Sequence, residues 1–432
     1  MTMNEDFLHY LWKHRQFDPS NLKTEQGEEL DIIHTGFHNE NAGPDFLDAR
    51  VRINGTLWAG NVEIHIVSSD WHKHGHQNDP AYDNVVLHVV YNQDKEVEAP
   101  KGSIISSLVL KDRIDYQSYR KYKAWVAEGK FIPCDKIVNQ VPQLIKTSAV
   151  HAAAVERLSV KSEISRDHLF QTKGDMEGAF YRLFLRALGM KVNALPFEQL
   201  ARITPYELIR KVSPSRIQLE SLLLGQAGFL AEAKTDNPHV SQLKSEYDFL
   251  KKKHRLNPMP ISAWKLFRLR PQNFPQVRLA QLAIFYHQHS SVARAISEME
   301  SPEVLYDFFL VKIEDGFWLN HYTLDSESPA RKKSFGGDFL KHLVINAVVP
   351  FVFSLADYNR DESHRERAIK LLESLPSERN SIIRSFEKLD FTLESSFDSQ
   401  GIIQLKSSFC DRKKCLRCKV GIHLMKHYAE VG

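Results

Sequence analysis

The sequence predicts an α+β fold, with a mixed β-sheet domain at the N-terminus followed by a mainly α-helical body. Three observations carry this. The first 110 residues read as one helix, then three strands, a short connection and a buried strand. Asn54-Gly55, the strongest short hairpin signal, joins two of those strands. From about residue 112 the apolar spacing turns helical and stays so for most of the remaining chain.

Totals agree with a folded, multi-domain chain. At 432 residues, two or three domains are expected. A hydrophobic content of 42% and a charged content of 26% are ordinary for a globular protein. The net charge of +3 gives no global pull toward nucleic acid, so any basic surface must be local. No run reaches about 18 uninterrupted apolar residues, so no membrane span is expected. The polar start Met1-Thr-Met-Asn-Glu-Asp6 does not resemble a signal peptide, and a cytoplasmic location is expected. The oligomeric state is left open.

Residues 4–16 carry Phe7, Leu8, Leu11 and Trp12 at helical spacing, with Asn4 as a cap. Leu30 to Phe37 predicts a strand, and Asp45 to Ile53 a second. Asn54-Gly55 turns the chain into a third, Leu57 to Val67. Ser68 to Asn84 is polar and rich in histidine, a loop with at most a helical turn. Val85 to Tyr91 is nearly all apolar, as a strand buried on both faces would be. Ile104 to Leu110 adds a fifth strand. Helical periods follow at 145–165, 176–189, 196–212, 216–233, 240–254, 276–299, 302–313, 337–357 and 364–388. The resulting domains are 1–125, 126–400 and a cysteine-containing segment 401–432 that packs back near Cys134.

Chemistry concentrates at the hairpin. Residues i and i+2 of a strand share a face, so Glu63 and His65 point together while Val62, Ile64 and Ile66 point into the core. Asp45 opens the antiparallel partner strand, and the turn brings it toward Glu63. A hard divalent ion such as Mg²⁺ or Mn²⁺ takes a few carboxylate oxygens, and the Ile64 carbonyl is placed to add one more ligand. Asp48 reads as a surface residue rather than a ligand.

Pro44-Asp45, a hairpin, then Glu63-Ile64-His65 in an α-β-β-β-α-β order resembles the PD-(D/E)XK nuclease core. The resemblance implies that Asp45 and Glu63 are metal ligands and that the substrate is a phosphodiester of nucleic acid. His65 stands where that superfamily has lysine, as a base or a further ligand. This departure keeps open a catalytically inactive nucleic-acid-binding or scaffold protein that retains the fold. The chain also resembles, over most of its length, a bacterial domain-of-unknown-function 2851 family carrying the same Gly-Pro-Asp-Phe and Val-Glu-Ile-His pairing.

Three further groups follow. His72, His74 and His76 alternate just after the Glu63 strand. His76 could assist at a leaving oxygen, and the three together could build a Zn-dependent hydrolase, a separate reading. His88 lies inside the buried strand and reads as a satisfied core histidine. Cys410, Cys415 and Cys418 form C-x4-C-x2-C, and Cys134 is the one cysteine left to make four. Four thiolates hold either zinc or a 4Fe-4S cluster, as a structural clip without an open position. Some PD-(D/E)XK exonucleases similarly hold an iron–sulfur cluster with one distant cysteine and a C-terminal trio, although their lone cysteine precedes the nuclease core. Finally, Arg268, Arg270 and Arg278, with Trp264, Phe267 and Phe274 interleaved, form the basic stretch best suited to a nucleic-acid strand.

Overall fold

The computed structural model describes residues 3–314 and 316–427. The chain divides into two compact units: 1–149 with 389–391 and 405–432, and 150–388 with 392–404. The first unit thus runs past the expected boundary at 125, and the cysteine-bearing C-terminal segment belongs to it. The crossing at 149/150 falls inside one helix, Gln143–Gln171, where no loop composition marks it.

In the first unit, α1 (Glu5–His14) begins at Asn4, whose side chain accepts the Asp6 N–H at 2.8 Å. The strands are β1 (Leu30–His34), β2 (Phe37–His38), β3 (Phe46–Ile53), β4 (Thr56–Val67), β5 (Val85–Asn92) and β6 (Ser107–Val109). They form one mixed sheet in the order β1-β3-β4-β5-β6, with β2 pairing on β3. β3 and β4 are antiparallel, whereas β4–β5 and β5–β6 are parallel. At the hairpin Ile53 pairs with Thr56, and Asn54 and Gly55 take φ of 49° and 81°, the left-handed pair that a two-residue turn needs.

Phe7, Leu8, Leu11 and Trp12 of α1 lie in one core with Val51, Val62, Ile64, Leu87 and Val89. The other face of β4 and β5 is also covered, as expected for a β5 buried on both faces. Glu63, His65 and His88 are 5%, 1% and 0% exposed. The covering piece is 68–82, which holds α2 (Asp70–Lys73) and two short 3-10 turns. Trp71 and Tyr82 anchor it in a second apolar cluster with Val85, Val97, Ala99 and Ile105. Gly60 lets β4 and β5 close: a Cβ there would stand 2.5 Å from the Asn84 carbonyl oxygen.

The second unit is helical around one large core. Several expected helices are split, each by an identifiable breaker. Thr204-Pro205 separates Ala194–Ile203 from Tyr206–Val212. Gly228, at φ 83°, separates Arg216–Gln226 from Phe229–Glu232. Pro376 follows Ser363–Ser374. The stretch Gly337–Asn359 is helical, and 83% of its most apolar window is buried. Its middle, Val344–Val348, is a π turn just before Pro350, which has no N–H for the normal helical bond.

A buried lysine sits against that turn. Lys161 Nζ donates to Asn346 Oδ1 at 2.8 Å and to Gln400 Oε1 at 2.6 Å. Burial, reinforced by Arg157, lowers its pKa from 10.5 to about 7. Between those two values the unfolded chain keeps a proton that the native chain releases, so this group makes stability rise with pH. Below about 7 both states are charged and the contribution is lost. Urea unfolding of wild type and Lys161→Met at pH 6 and pH 9 is expected to show wild type gaining on the variant at the higher pH. Parallel curves would mean that Lys161 keeps an ordinary pKa.

Candidate metal centre

The hairpin brings Asp45 and Glu63 face to face through reciprocal main-chain bonds. The Asp45 N–H donates to Glu63 Oε2 at 3.0 Å, and the Ile64 N–H donates to Asp45 Oδ2 at 2.9 Å. A bulge follows at once in β3, between Phe46 and Ala49, with Asp48 exposed at φ 55°. It turns Asp48 outward, as the sequence suggested, and leaves Asp45 beside β4.

Around this pair stand residues from α1, the covering segment and β5, and His65 of β4 itself. From α1, His9 Nε2 lies 3.2 Å from Asp45 Oδ2 and 3.9 Å from Glu5 Oε1. From β4 and the covering segment, His65 Nε2 and His76 Nε2 lie 3.6 Å and 3.3 Å from Glu63 Oε1. His65 bridges two more rings: its Nδ1 is 2.9 Å from His88 Nε2, and its Nε2 is 3.1 Å from His74 Nδ1. Among the described residues, two groups have the compactness of a cation site: Glu5, His9 and Asp45, and His65, His74 and His76.

The electrostatics follow from burying acids and imidazoles together. Burial raises the Glu63 pKa, with Asp45 adding to the rise and His76 opposing it. Burial pushes Glu5 up to about 7, and the charges of Asp45 and Glu63 add to it. Burial works against a charged His9, but the Asp45 carboxylate outweighs it and the net shift is upward. His65 falls to about 2 and His88 to about 3, mainly through burial and then through neighbouring imidazoles. These two rings are therefore neutral at ordinary pH.

Whether a cation fits is tested by the donor set. His9 Nε2 and His76 Nε2 are buried and each faces a carboxylate oxygen, at 3.2 Å and 3.3 Å. Carboxylates beside one another, with imidazole nitrogens converging on them, suit a shared divalent ion.

The sequence pointed to Asp45, Glu63, His65 and His76, and the fold gathers all four. It missed Glu5, His9 and His88. Glu5 and His9 are four apart on α1, off its apolar stripe, which was the available signal. His88 was read as a satisfied core residue. It pairs across the parallel ladder with Glu63, and its Nδ1 has no partner. His72 does not join the His74–His76 group, and His65 takes that place.

Fold and site together define an α+β protein whose mixed sheet carries a partly buried histidine–carboxylate cluster suited to divalent cations. The family described as "Protein of unknown function (DUF2851)" matches residues 5–381, and the chain belongs to it. No curated protein and no solved structure matches the chain.

The four cysteines lie in the first unit, free of disulfides. Each thiol is within electrostatic reach of others: Cys134 of Cys418 and Cys415, and Cys410 of Cys418, Cys134 and Cys415. Burial raises all four pKa values, that of Cys415 to about 12. The Gly421 and Val420 amides donate to the Cys418 sulfur. A Cβ on Gly421 would come 2.0 Å from the Cys415 carbonyl oxygen, so glycine is what allows this knuckle to close.

The basic stretch is only partly a surface. Arg268 and Arg270 are exposed, and Arg268 lies over the exposed Phe267 ring at 5.1 Å. Arg278 corrects the expectation: it is 3% exposed, bonded to Asn273 and Gln281, and stacked 3.5 Å from the Phe339 ring centre. It lies on an apolar helix, Pro275–Gln288, and there it serves the core rather than a ligand. Trp264 is buried as well, with its indole N–H on the Ala227 carbonyl.

Proposed function

We propose that this protein is a metal-dependent hydrolase of nucleic-acid phosphodiester bonds, related to the PD-(D/E)XK nucleases. The observation that carries the reading is the locked pair Asp45 and Glu63, each held by the other strand's amide. Carboxylates fixed this way are preorganised for a cation and need no rearrangement to bind it. The mixed sheet with Pro44-Asp45 before the hairpin and Glu63-Ile64-His65 after it supports the kinship.

Asp45 and Glu63, with Glu5 and His9 beside Asp45, would hold Mg²⁺ or Mn²⁺. Such an ion supplies a nucleophilic water at neutral pH and offsets charge on the phosphate. His65 occupies the position of the superfamily's lysine; burial and the neighbouring imidazoles keep it neutral, which suits a ligand better than a base and offsets less charge. His76, packed against Tyr82 with ring centres 3.9 Å apart, faces Glu63 and can pass a proton to a leaving oxygen. Arg268 and Arg270, with Phe267, would contact the nucleic acid by charge and stacking. Cys134, Cys410, Cys415 and Cys418 would hold zinc or a 4Fe-4S cluster as a structural clip. Four free thiols suit a reducing compartment such as the cytoplasm.

Calorimetric titration of Mn²⁺ into wild type and Asp45→Ala tests the reading. Binding in wild type that is lost in the variant is expected. Equal binding, or none in either, would leave a nucleic-acid-binding scaffold that keeps the fold without the chemistry.

A further inference from the structure

We propose that His65, His74 and His76 form a second cation site, selective for a borderline transition metal of the Zn²⁺ class, beside the Asp45 site. The proposal rests on the reading of Asp45 and Glu63 as metal ligands only in that Glu63 then lies between two ions; with the second ion bound, His65 and His76 are ligands in place of the proton roles given above.

The nitrogen trio is compact, with one ligand atom from each ring within 4.8 Å of the others. Two of the three rings are held from outside the trio, and the third, His74, meets His65 Nε2 at 3.1 Å. His65 is fixed from behind by His88, whose Nε2 meets its Nδ1 at 2.9 Å. When His65 Nδ1 carries the proton for that bond, Nε2 is left as a lone pair facing His74 and His76. This is the usual arrangement of a metal-binding histidine, in which a neighbour sets the tautomer through the other nitrogen. His76 is clamped between Trp71 and Tyr82, at ring-centre distances of 5.3 Å and 3.9 Å. Its Nε2 is buried and faces Glu63 Oε1 at 3.3 Å, on the side of His65 and His74. Gly75, at φ 78°, makes the turn that sets His74 and His76 toward the same point. His74 is exposed, so the trio opens to solvent on that side.

The donor set decides the metal. Three imidazoles favour Zn²⁺ over Mg²⁺, which takes oxygen ligands. Three protein ligands also leave a fourth position open, as catalytic zinc sites do. Glu63 Oε1 lies 3.6 Å and 3.3 Å from the His65 and His76 nitrogens, while Glu63 Oε2 faces Asp45. One carboxylate therefore addresses both clusters, the layout that two-ion phosphodiester hydrolases require.

The test counts ions on the full-length protein. Metal-stripped wild type, His74→Ala and Asp45→Ala are dialysed against Zn²⁺, and bound zinc is measured by elemental analysis. Mn²⁺ titration is run on the same samples. Because His74 is exposed, its removal is expected to leave the circular dichroism spectrum unchanged. The expected result is one zinc equivalent lost, or an affinity about 100-fold weaker, in His74→Ala, with Mn²⁺ binding retained. Asp45→Ala is expected to do the reverse, losing Mn²⁺ and keeping that zinc. Equal zinc in His74→Ala and wild type overturns the second site, whatever becomes of Mn²⁺. Loss of Mn²⁺ binding in wild type itself would sink the first reading and leave the zinc result standing.

Discussion

Glu63→Gln is expected to lower metal-dependent cleavage of nucleic acid by about a thousand-fold, the several kcal/mol that a bound ion contributes to the transition state. Glutamine keeps the size of the side chain and an oxygen to accept the Asp45 N–H, now made at 3.0 Å to Glu63 Oε2. It removes the charge that faces His65 and His76. The sheet should therefore stay intact while cation affinity falls. A fluorescent single-stranded oligonucleotide assayed with Mn²⁺ gives the rate, and thermal unfolding gives the fold. Alanine is the poorer substitution, because it would leave a buried main-chain amide unpaired as well. Unchanged cleavage by a well-folded Glu63→Gln protein would exclude this carboxylate from catalysis.

The second large effect is expected at the other end of the chain. On the proposal that the four cysteines hold a metal, Cys418→Ser should release it and destabilise the first unit by several kcal/mol, since binding energy at a structural site is folding energy. Cys418 is the informative choice because its sulfur receives the Gly421 and Val420 amides and faces both Cys134 and Cys410. Elemental analysis and the visible spectrum of the purified protein distinguish the two candidates. One zinc without colour, or four irons with a brown absorbance, should be present in wild type and absent in the variant. Wild type that contains neither, with a Cys418→Ser variant of equal stability, would show four unconnected buried thiols.

Much of the first unit was legible because its signals are local. The Asn4 cap, the α1 stripe, the Asn54-Gly55 turn and the apolar run of β5 each act over a few residues, and each forms where expected. Helix breaks were less legible. Thr204-Pro205 and Gly228 interrupt segments whose apolar spacing continues through them, and periodicity does not register a single residue that changes φ. Arg278 shows the converse error. Its charge suggested a surface, but a guanidinium paired with Asn273 and Gln281 and stacked on Phe339 can be buried.

By itself the sequence did not show the break of Leu30–Phe37 into β1 and β2, but it determined β3, β4 and β5, the turn between β3 and β4, the facing of Asp45 and Glu63, and the set of cysteines. These depend on alternation, turn chemistry and counting, all properties of the chain read in order. The tertiary structure alone decided what surrounds the two carboxylates. Glu5 and His9 reach Asp45 because α1 crosses the sheet, and His88 reaches His65 because β4 and β5 run parallel in one register. Segment 68–82 closes over Glu63 and buries the face that alternation had assigned to Glu63 and His65. Contacts between residues far apart in sequence leave no periodic trace, so the cluster becomes visible only once the sheet and its cover are assembled.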